Sequence, residues 1–299
     1  VTRLVVAVGG NALAADGSFD AQRRTVAETA ESLAAAVDAE DALVLTHGNG
    51  PQVGNKLLEV AAADTPDRPL DVLVAETQAS LGSLLGRALD ARLDRPVSTL
   101  VTRAVVDPES SAFANPTKPI GPWYTEEEAA DKPFETKDVG EGERSYRRVV
   151  PSPEPTAVPE TGAVDALLEA GEAVICGGGG GIPVAPEDDG SESIEAVIDK
   201  DYTASIVADA IDADRLVFLT DVDYAYLNYG TDDQQALESV TPGEVRGYLD
   251  ADEFGEGSMG PKMAACARFA EEGGEAVIAS IDDPAAALHG KTGTTVRLD

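Results

Sequence analysis

Only seven of the 299 residues are lysine, and three of the seven sit beside glycine-bearing segments or at the turn into a helical pattern. Lys118 lies in Asn115-Pro116-Thr117-Lys118-Pro119-Ile120-Gly121, Lys200 in Ile198-Asp199-Lys200-Asp201, and Lys262 closes Ser258-Met259-Gly260-Pro261-Lys262. Each alone reads as well as a solvated surface lysine. Together they suggest a cationic clamp, the device phosphoryl transfer needs, because that chemistry is mostly positioning plus stabilisation of charge on the transferred group. Four glycine-bearing segments accompany them: Gly9-Gly10-Asn11, Gly48-Asn49-Gly50, Gly177 to Gly181, and Gly257 to Gly260. Glycine lets the backbone approach an anion closely, and N–H groups at a helix start bind phosphate. Asp201 beside Lys200 would hold lysines in place, and it reads equally as a helix N-cap.

Familiar phosphate signatures are absent. The run from Gly177 reaches Ile182 at its sixth position, so it is no dinucleotide fingerprint. The Gly290-Lys291-Thr292 triplet has Ala285 where a P-loop needs glycine. No G-x-S-x-G elbow occurs, and two distant histidines make no triad. His47 reads as a residue orienting its own glycine-rich loop, with a general base as the other reading.

The elements that must position these residues alternate. Leu4 to Val8, Ala42 to Thr46, Val97 to Val106, Ala173 to Cys176, Ile194 to Ile198 (with Lys200 at its end), Arg215 to Thr220, 276 to 279 and 294 to 298 read as strands. Helical patterns run over 21 to 39, from Pro51, from Leu70, over 161 to 170, from Asp201, and near 241 to 251 and 260 to 272. Continuous apolar runs alternating with helices predict an open, mainly parallel sheet in a three-layer α/β arrangement. Ligands then belong at the carboxyl ends of the strands, where the glycine segments fall. Between residues 107 and 159 lie nine of the 18 prolines, a density that argues against a central strand or long helix. An inserted subdomain or lid is expected there, within a single domain spanning 1–299.

Composition narrows the partners. Lys plus Arg number 22 against 55 Asp plus Glu, a net charge of −33. That field repels phosphate backbones and anionic membranes, so neither nucleic acid nor a membrane is expected as a partner. Two cysteines and two histidines make neither a disulfide framework nor a Cys/His zinc site; Cys176 and Cys266 read as free thiols in a reducing compartment. No stretch approaches 18 apolar residues, and with an apolar run beginning near residue 3 no signal peptide is expected. The expected location is cytoplasmic. Diffuse acidity with few lysines suits a protein of concentrated salt, where screening removes the self-repulsion; ordinary acidity for solubility is the other reading.

At these segments the sequence resembles the carbamate kinase branch of the amino acid kinase family. The matching stretches are Val8-Gly-Gly-Asn-Ala-Leu13, His47-Gly-Asn-Gly-Pro-Gln-Val-Gly54, Asn115-Pro-Thr-Lys-Pro-Ile-Gly-Pro122, Val149-Val-Pro-Ser-Pro153, Gly178-Gly-Gly-Gly-Ile-Pro-Val184, Val197-Ile-Asp-Lys-Asp201 and Ser258-Met-Gly-Pro-Lys262, in order over nearly the whole chain. The resemblance implies reversible transfer, ATP plus carbamate giving ADP plus carbamoyl phosphate, with Mg²⁺ carried by the nucleotide, run towards ATP in arginine fermentation through the arginine deiminase pathway. It implies a homodimer, and a protruding subdomain over residues 107–159. It assigns 1–106 and 160–220 mainly to the phosphoryl acceptor and 215–299 mainly to the nucleotide.

Carried over by position, Gly9, Gly10, Asn11, Gly48, Asn49, Gly50, Gly178 and Gly179 would hold carbamate and the moving phosphoryl group. Lys118 would reach the same anion from the lid, Lys200 would neutralise transition-state charge with Asp201 organising it, and Lys262 would grip the β-phosphate. Thr220, Asp221, Val222, Met259 and Pro261 would line the nucleotide side. Carbamate is already anionic, so no general base is required. Two departures stand out: Ala75-Glu76-Thr77-Gln78-Ala79, where the family often has Met and Gly in place of Glu76 and Ala79, and Gly260 in place of a bulkier residue. They put local helix packing, dimer contacts and the nucleotide edge in question. Another small-acid kinase of this fold, and an idle relative that only binds nucleotide or carbamoyl phosphate, remain the alternatives.

Overall fold

The computed structural model describes residues 1–10, 13, 18–62, 66, 68–187, 190–254 and 259–299. Its centre is an eight-stranded sheet in the spatial order Ser239–Val240, Thr294–Val296, Glu275–Ser280, Arg215–Thr220, Arg3–Val8, Ala42–His47, Ala173–Ile175, Val97–Thr99. From Glu275–Ser280 to Val97–Thr99 every neighbouring pair is parallel, whereas Thr294–Val296 runs antiparallel to Glu275–Ser280.

Alternation along the central strands explains the two helical layers. Val5 and Ala7 face one apolar cluster with Leu216 and Phe218, and Leu4, Val6 and Val8 face another with Val217 and Leu219. The first cluster takes its cover from the helices Thr161–Glu169, Lys200–Ala210, Pro242–Asp250 and Met259–Glu271, through Val164, Val207, Val245 and Met263. The second is covered by Phe19–Ala36, Leu70–Asp90 and Pro284–Leu288, through Leu33, Leu85 and Leu288. With both faces dry, each fully buried Val or Leu contributes about 1.5–3 kcal/mol, and strands read as unbroken apolar runs.

The expected strand Ile194 to Ile198 does not form: the strand Gly190–Ser193 ends before it, and the segment runs without regular structure into the helix Lys200–Ala210. Another expected strand divides. Val97–Thr99 stays in the main sheet, while Arg103–Val106 joins a second sheet ordered Gly190–Ser193, Ile182–Glu187, Arg103–Val106, Pro155–Ala157. The cause lies at Thr102, whose N–H donates to Gln78 Oε1 (3.0 Å) and whose carbonyl accepts from Gln78 Nε2 (3.1 Å). A buried glutamine takes the N–H a ladder would have used, while the carbonyl also accepts from the Ile182 N–H (2.9 Å) of the second sheet, and the chain leaves the main sheet there.

Within residues 107–159, Lys118–Tyr124, Tyr146–Val150 and Thr136–Asp138 form a three-stranded antiparallel sheet with Tyr146–Val150 in the middle. Pro119 and Pro122 occupy an edge strand, where a missing N–H is tolerated, and register shifts between Ile120 and Trp123. Pro155–Ala157 belongs instead to the second sheet, against Arg103–Val106.

Candidate active site

The first two glycine segments leave adjacent parallel strands and meet backbone to backbone. Gly48 N–H donates to the Val8 carbonyl (3.0 Å), and a Cβ on Gly48 would stand 2.5 Å from Gly10 N. Gly50 opens the helix Gly50–Ala62. Asn49 is buried, and its Nδ2 donates to Thr77 Oγ1 (2.9 Å). The third segment turns beneath it: Gly179 has φ +62°, and a Cβ there would overlap the Asn49 carboxamide. Thr46 Oγ1 donates to the Gly177 carbonyl (3.0 Å), Gly177 N–H to Thr102 Oγ1 (2.9 Å), and Thr203 Oγ1 to the Gly180 carbonyl (2.7 Å). Buried threonines thus fix the loop from three elements. Asn11, and Gly257 and Ser258 of the fourth segment, lie outside the described residues.

Three lysines and two carboxylates form a chain across the carboxyl end of the sheet. Asp201 is 3% exposed at its side chain, with Lys200 on Oδ1 and Lys262 Nζ at 3.1 Å from Oδ2. Lys200 Nζ also lies 5.7 Å from the Phe218 ring centroid, within cation–π range. Asp201 is not the helix cap of Lys200–Ala210: Asp199 is, accepting from the Asp201 N–H at 3.1 Å through Oδ1. The other oxygen of Asp199 faces Lys118 Nζ at 3.3 Å. Burial pushes the Asp199 carboxyl up, but the Lys118 charge, the Asp201 N–H and the Lys200 charge together hold it below the ordinary carboxylate range.

Two cavities flank this chain. One, of about 100 Å³, is lined by Asn49, Gly50, Gly179, Lys118 and Arg147. Gly9, Gly10, Gly48 and Gly178 lie outside its walls, Gly178 packing under the His47 ring. The second, of about 240 Å³, is lined by Thr220, Asp221, Val222 and Met259 together with Tyr226, Tyr229 and Phe254. Pro261 sits in the first turn of Met259–Glu271, off that wall. A small, mainly apolar cavity with Asn49, Lys118 and Arg147 on its wall and a larger aromatic one suit a small anion and a nucleotide, with Lys200 and Lys262 held on Asp201 outside both walls.

His47 is buried, with Nδ1 3.1 Å from the Gly48 carbonyl. Burial lowers its pKa to about 4 against the opposing Gly48 carbonyl, with the Lys200 charge adding to the fall. The ring is therefore neutral at pH 7 and too weak a base to take a proton there. Burial likewise pushes the Cys176 thiol up to about 12 and Cys266 well above its ordinary value.

Sequence reasoning passed over Asp199, Arg147 and the aromatic wall. Arg147 donates from Nη2 to the Gly121 carbonyl (3.0 Å) and stacks 5.0 Å from the Trp123 ring centroid; its buried Nε meets no acceptor among the described residues. The pair Arg147-Arg148 directly before Val149-Val150-Pro151 was the available signal. At the departures, Glu76 pairs with Arg68 (3.0 Å), Ala79 is exposed, and among the described residues a Cβ at Gly260 would meet Leu249 Cδ2 at 3.9 Å.

A model of the amino acid kinase family matches residues 2–280. A carbamate kinase of Halobacterium salinarum is 45% identical over 298 residues, covering 98% of this chain and 97% of that one. A carbamate kinase of Thermococcus kodakarensis is 43% identical over 311 residues, covering 98% of each. Among solved structures, carbamate kinase from Giardia lamblia bound to AMP-PNP superposes with a TM-score of 0.91 at 37% identity, covering 100% of this chain and 99% of that one.

Proposed function

The chain belongs to the amino acid kinase family, and on that premise we propose that it transfers a phosphoryl group reversibly between ATP and carbamate. The observation that carries the reading is the Asp201 carboxylate, 3% exposed, with Lys200 and Lys262 on its two oxygens. Withdrawing such charges from water costs several kcal/mol per ion, and well-packed apolar residues often serve stability as well or better. An acidic chain with seven lysines that commits two of them to one buried carboxylate has a use for fixed positive charge.

In this reading Lys200 faces the charge that develops on the transferred group, Lys262 holds the nucleotide's β-phosphate, and Asp201 fixes both. Lys118, on an edge strand of the small sheet, meets the acceptor anion in the cavity shared with Asn49, Gly50 and Gly179. Backbone N–H groups at the start of Gly50–Ala62, and the Gly9–Gly10 and Gly178–Gly179 turns, hold the remaining oxygens. Carbamate attacks as an anion, so the neutral, buried His47 has no proton to remove. The adenine side is the cavity of Tyr226, Tyr229, Phe254 and Met259, with Thr220 to Val222 at its edge and Pro261 shaping the helix entry.

Mg²⁺ belongs to the same reading as a passenger on the nucleotide, where it would neutralise charge between the β- and γ-phosphates. It keeps mostly water and phosphate ligands and needs one or two carboxylates. Asp221, exposed on the nucleotide-side cavity with Oδ1 accepting from the Thr220 hydroxyl (3.0 Å), fits that need. We also assign the chain to the cytoplasm, as a homodimer; light scattering giving the mass of one chain would remove the dimer. No helix among the described residues is long and apolar enough to cross a membrane.

The test is an acceptor panel. ADP release from ATP should require bicarbonate with ammonia, the source of carbamate, and should not respond to acetate, glutamate or aspartate. Release that depends on one of those acids would make this a different small-acid kinase. ATP binding without release on any acceptor would make it an idle relative.

A further inference from the structure

The Asp199 carboxylate joins two parts of the molecule 81 positions apart in sequence. One oxygen accepts from Lys118 Nζ of the small three-stranded sheet at 3.3 Å, and the other accepts from the Asp201 N–H at the start of Lys200–Ala210, at 3.1 Å. Its side chain is only 18% exposed. A helix cap needs one oxygen alone, and serine or asparagine serves as well as aspartate. The second oxygen and the full charge call for another explanation. The next residue is Lys200, and Lys200 and Lys262 share Asp201. Five charged groups thus form one series, Lys118, Asp199, Lys200, Asp201 and Lys262, with three cations against two anions. A surplus of one positive charge remains inside a chain of net charge −33.

We propose that Asp199 is a positioning residue for the transfer, its carboxylate setting Lys118 in register with the helix that carries Lys200 and Asp201. The proposal rests on the reading that carbamoyl phosphate is the anion the three lysines face. Lys118 has 43% of its side chain exposed and a long flexible stem, so without a counter-charge it would sample many rotamers. Ordering such a side chain costs rotamer entropy, which a pre-formed ion pair removes from the binding step. The small sheet is also tied to the 195–199 segment by an Arg148–Glu195 pair (2.6 Å) and by the Val197 N–H donating to the Pro151 carbonyl (3.0 Å). Those contacts dock the sheet but do not touch Lys118, and Glu195 therefore supplies a control.

The experiment measures ATP formation from ADP and carbamoyl phosphate in full-length wild type, Asp199→Asn, Asp199→Ser, Lys118→Gln, Glu195→Gln and the double variant Asp199→Asn/Lys118→Gln. Asp199→Asn and Asp199→Ser keep the cap and lose the charge. Both should lower kcat/KM for carbamoyl phosphate tenfold or more while KM for ADP stays within twofold, and Glu195→Gln should stay within twofold throughout. In the Lys118→Gln background, Asp199→Asn should change kcat/KM by less than twofold, because its partner is already gone. Either single Asp199 variant within twofold of wild type would overturn the proposal. So would an undiminished Asp199→Asn effect in the Lys118→Gln background, or an equal rise in KM for ADP, both marks of a merely structural cap. A wild type that makes no ATP would instead remove the proposed function itself.

Discussion

His47 should make the fold acid-labile, by an amount the structure sets. The ring ends the strand Ala42–His47, packs against Gly178 and holds its proton on Nδ1 towards the Gly48 carbonyl. Protonating Nε2 would place an unsolvated charge there, near Lys200. In the unfolded chain the ring protonates near 6.5, in the fold only near 4. Between those values the unfolded state binds more protons, so this contribution to stability is fully present above pH 6.5 and is lost as pH falls towards 4. The difference between 6.5 and about 4 corresponds to about 3 kcal/mol in all, of which about 2 kcal/mol falls between pH 7 and pH 5. Urea unfolding at constant KCl, at pH 7 and pH 5, for wild type and His47→Gln isolates it from the carboxylates, which both proteins share. Wild type should lose about 2 kcal/mol more than the variant over that interval. Parallel losses would refute a buried neutral ring, and with it the exclusion of His47 as a base.

Other consequences follow from the same geometry. Lys200→Ala should lower kcat by about 10² or more, the scale of losing one donor to developing charge, and should also destabilise the fold, because it takes one of two lysines from a buried carboxylate; a near-wild-type rate would remove Lys200 from the transfer. The urea midpoint should rise steeply between low and about 2 M KCl, since at about 1 M the Debye length falls to about 3 Å and the repulsion of a −33 chain is screened; a flat response would remove the high-salt reading. Gly260→Ala should stabilise the start of Met259–Glu271 by up to about 1 kcal/mol, because among the described residues the added methyl meets only Leu249, at 3.9 Å; a loss of stability would show that the site needs glycine. Neither Cys176 nor Cys266 should react with a thiol reagent until the protein unfolds, as burial holds both thiols protonated; rapid labelling of the native protein would contradict that.

The sheet was legible because its strands are buried on both faces, and a run such as Leu4-Val5-Val6-Ala7-Val8 has no other stable place. Lys200, Asp201 and Lys262 stood out for the scarcity of lysine, which lent each position weight. The break at Thr102 was hidden, since it depends on Gln78, 24 residues earlier, reaching the Thr102 backbone. Asp199 was hidden for a related reason: it is one acid among 55 Asp and Glu, and its role lies in a contact with Lys118 across 81 positions. Tyr226, Tyr229 and Phe254 gave no signal because scattered aromatics acquire a common wall only once the chain between 220 and 259 has folded back on itself. Local pattern fixes elements; pairings made by single polar side chains over long separations leave no period to read.

In the proposed reaction the lysines on Asp201, with Lys118, pass a phosphoryl group between carbamoyl phosphate and ADP. Its most direct test is the formation of ATP from ADP and carbamoyl phosphate with Mg²⁺, followed at low KCl and at about 2 M KCl. ATP is expected, formed faster at the higher salt, where screening lets two anions approach an acidic protein. No ATP at either salt concentration would contradict the proposed reaction.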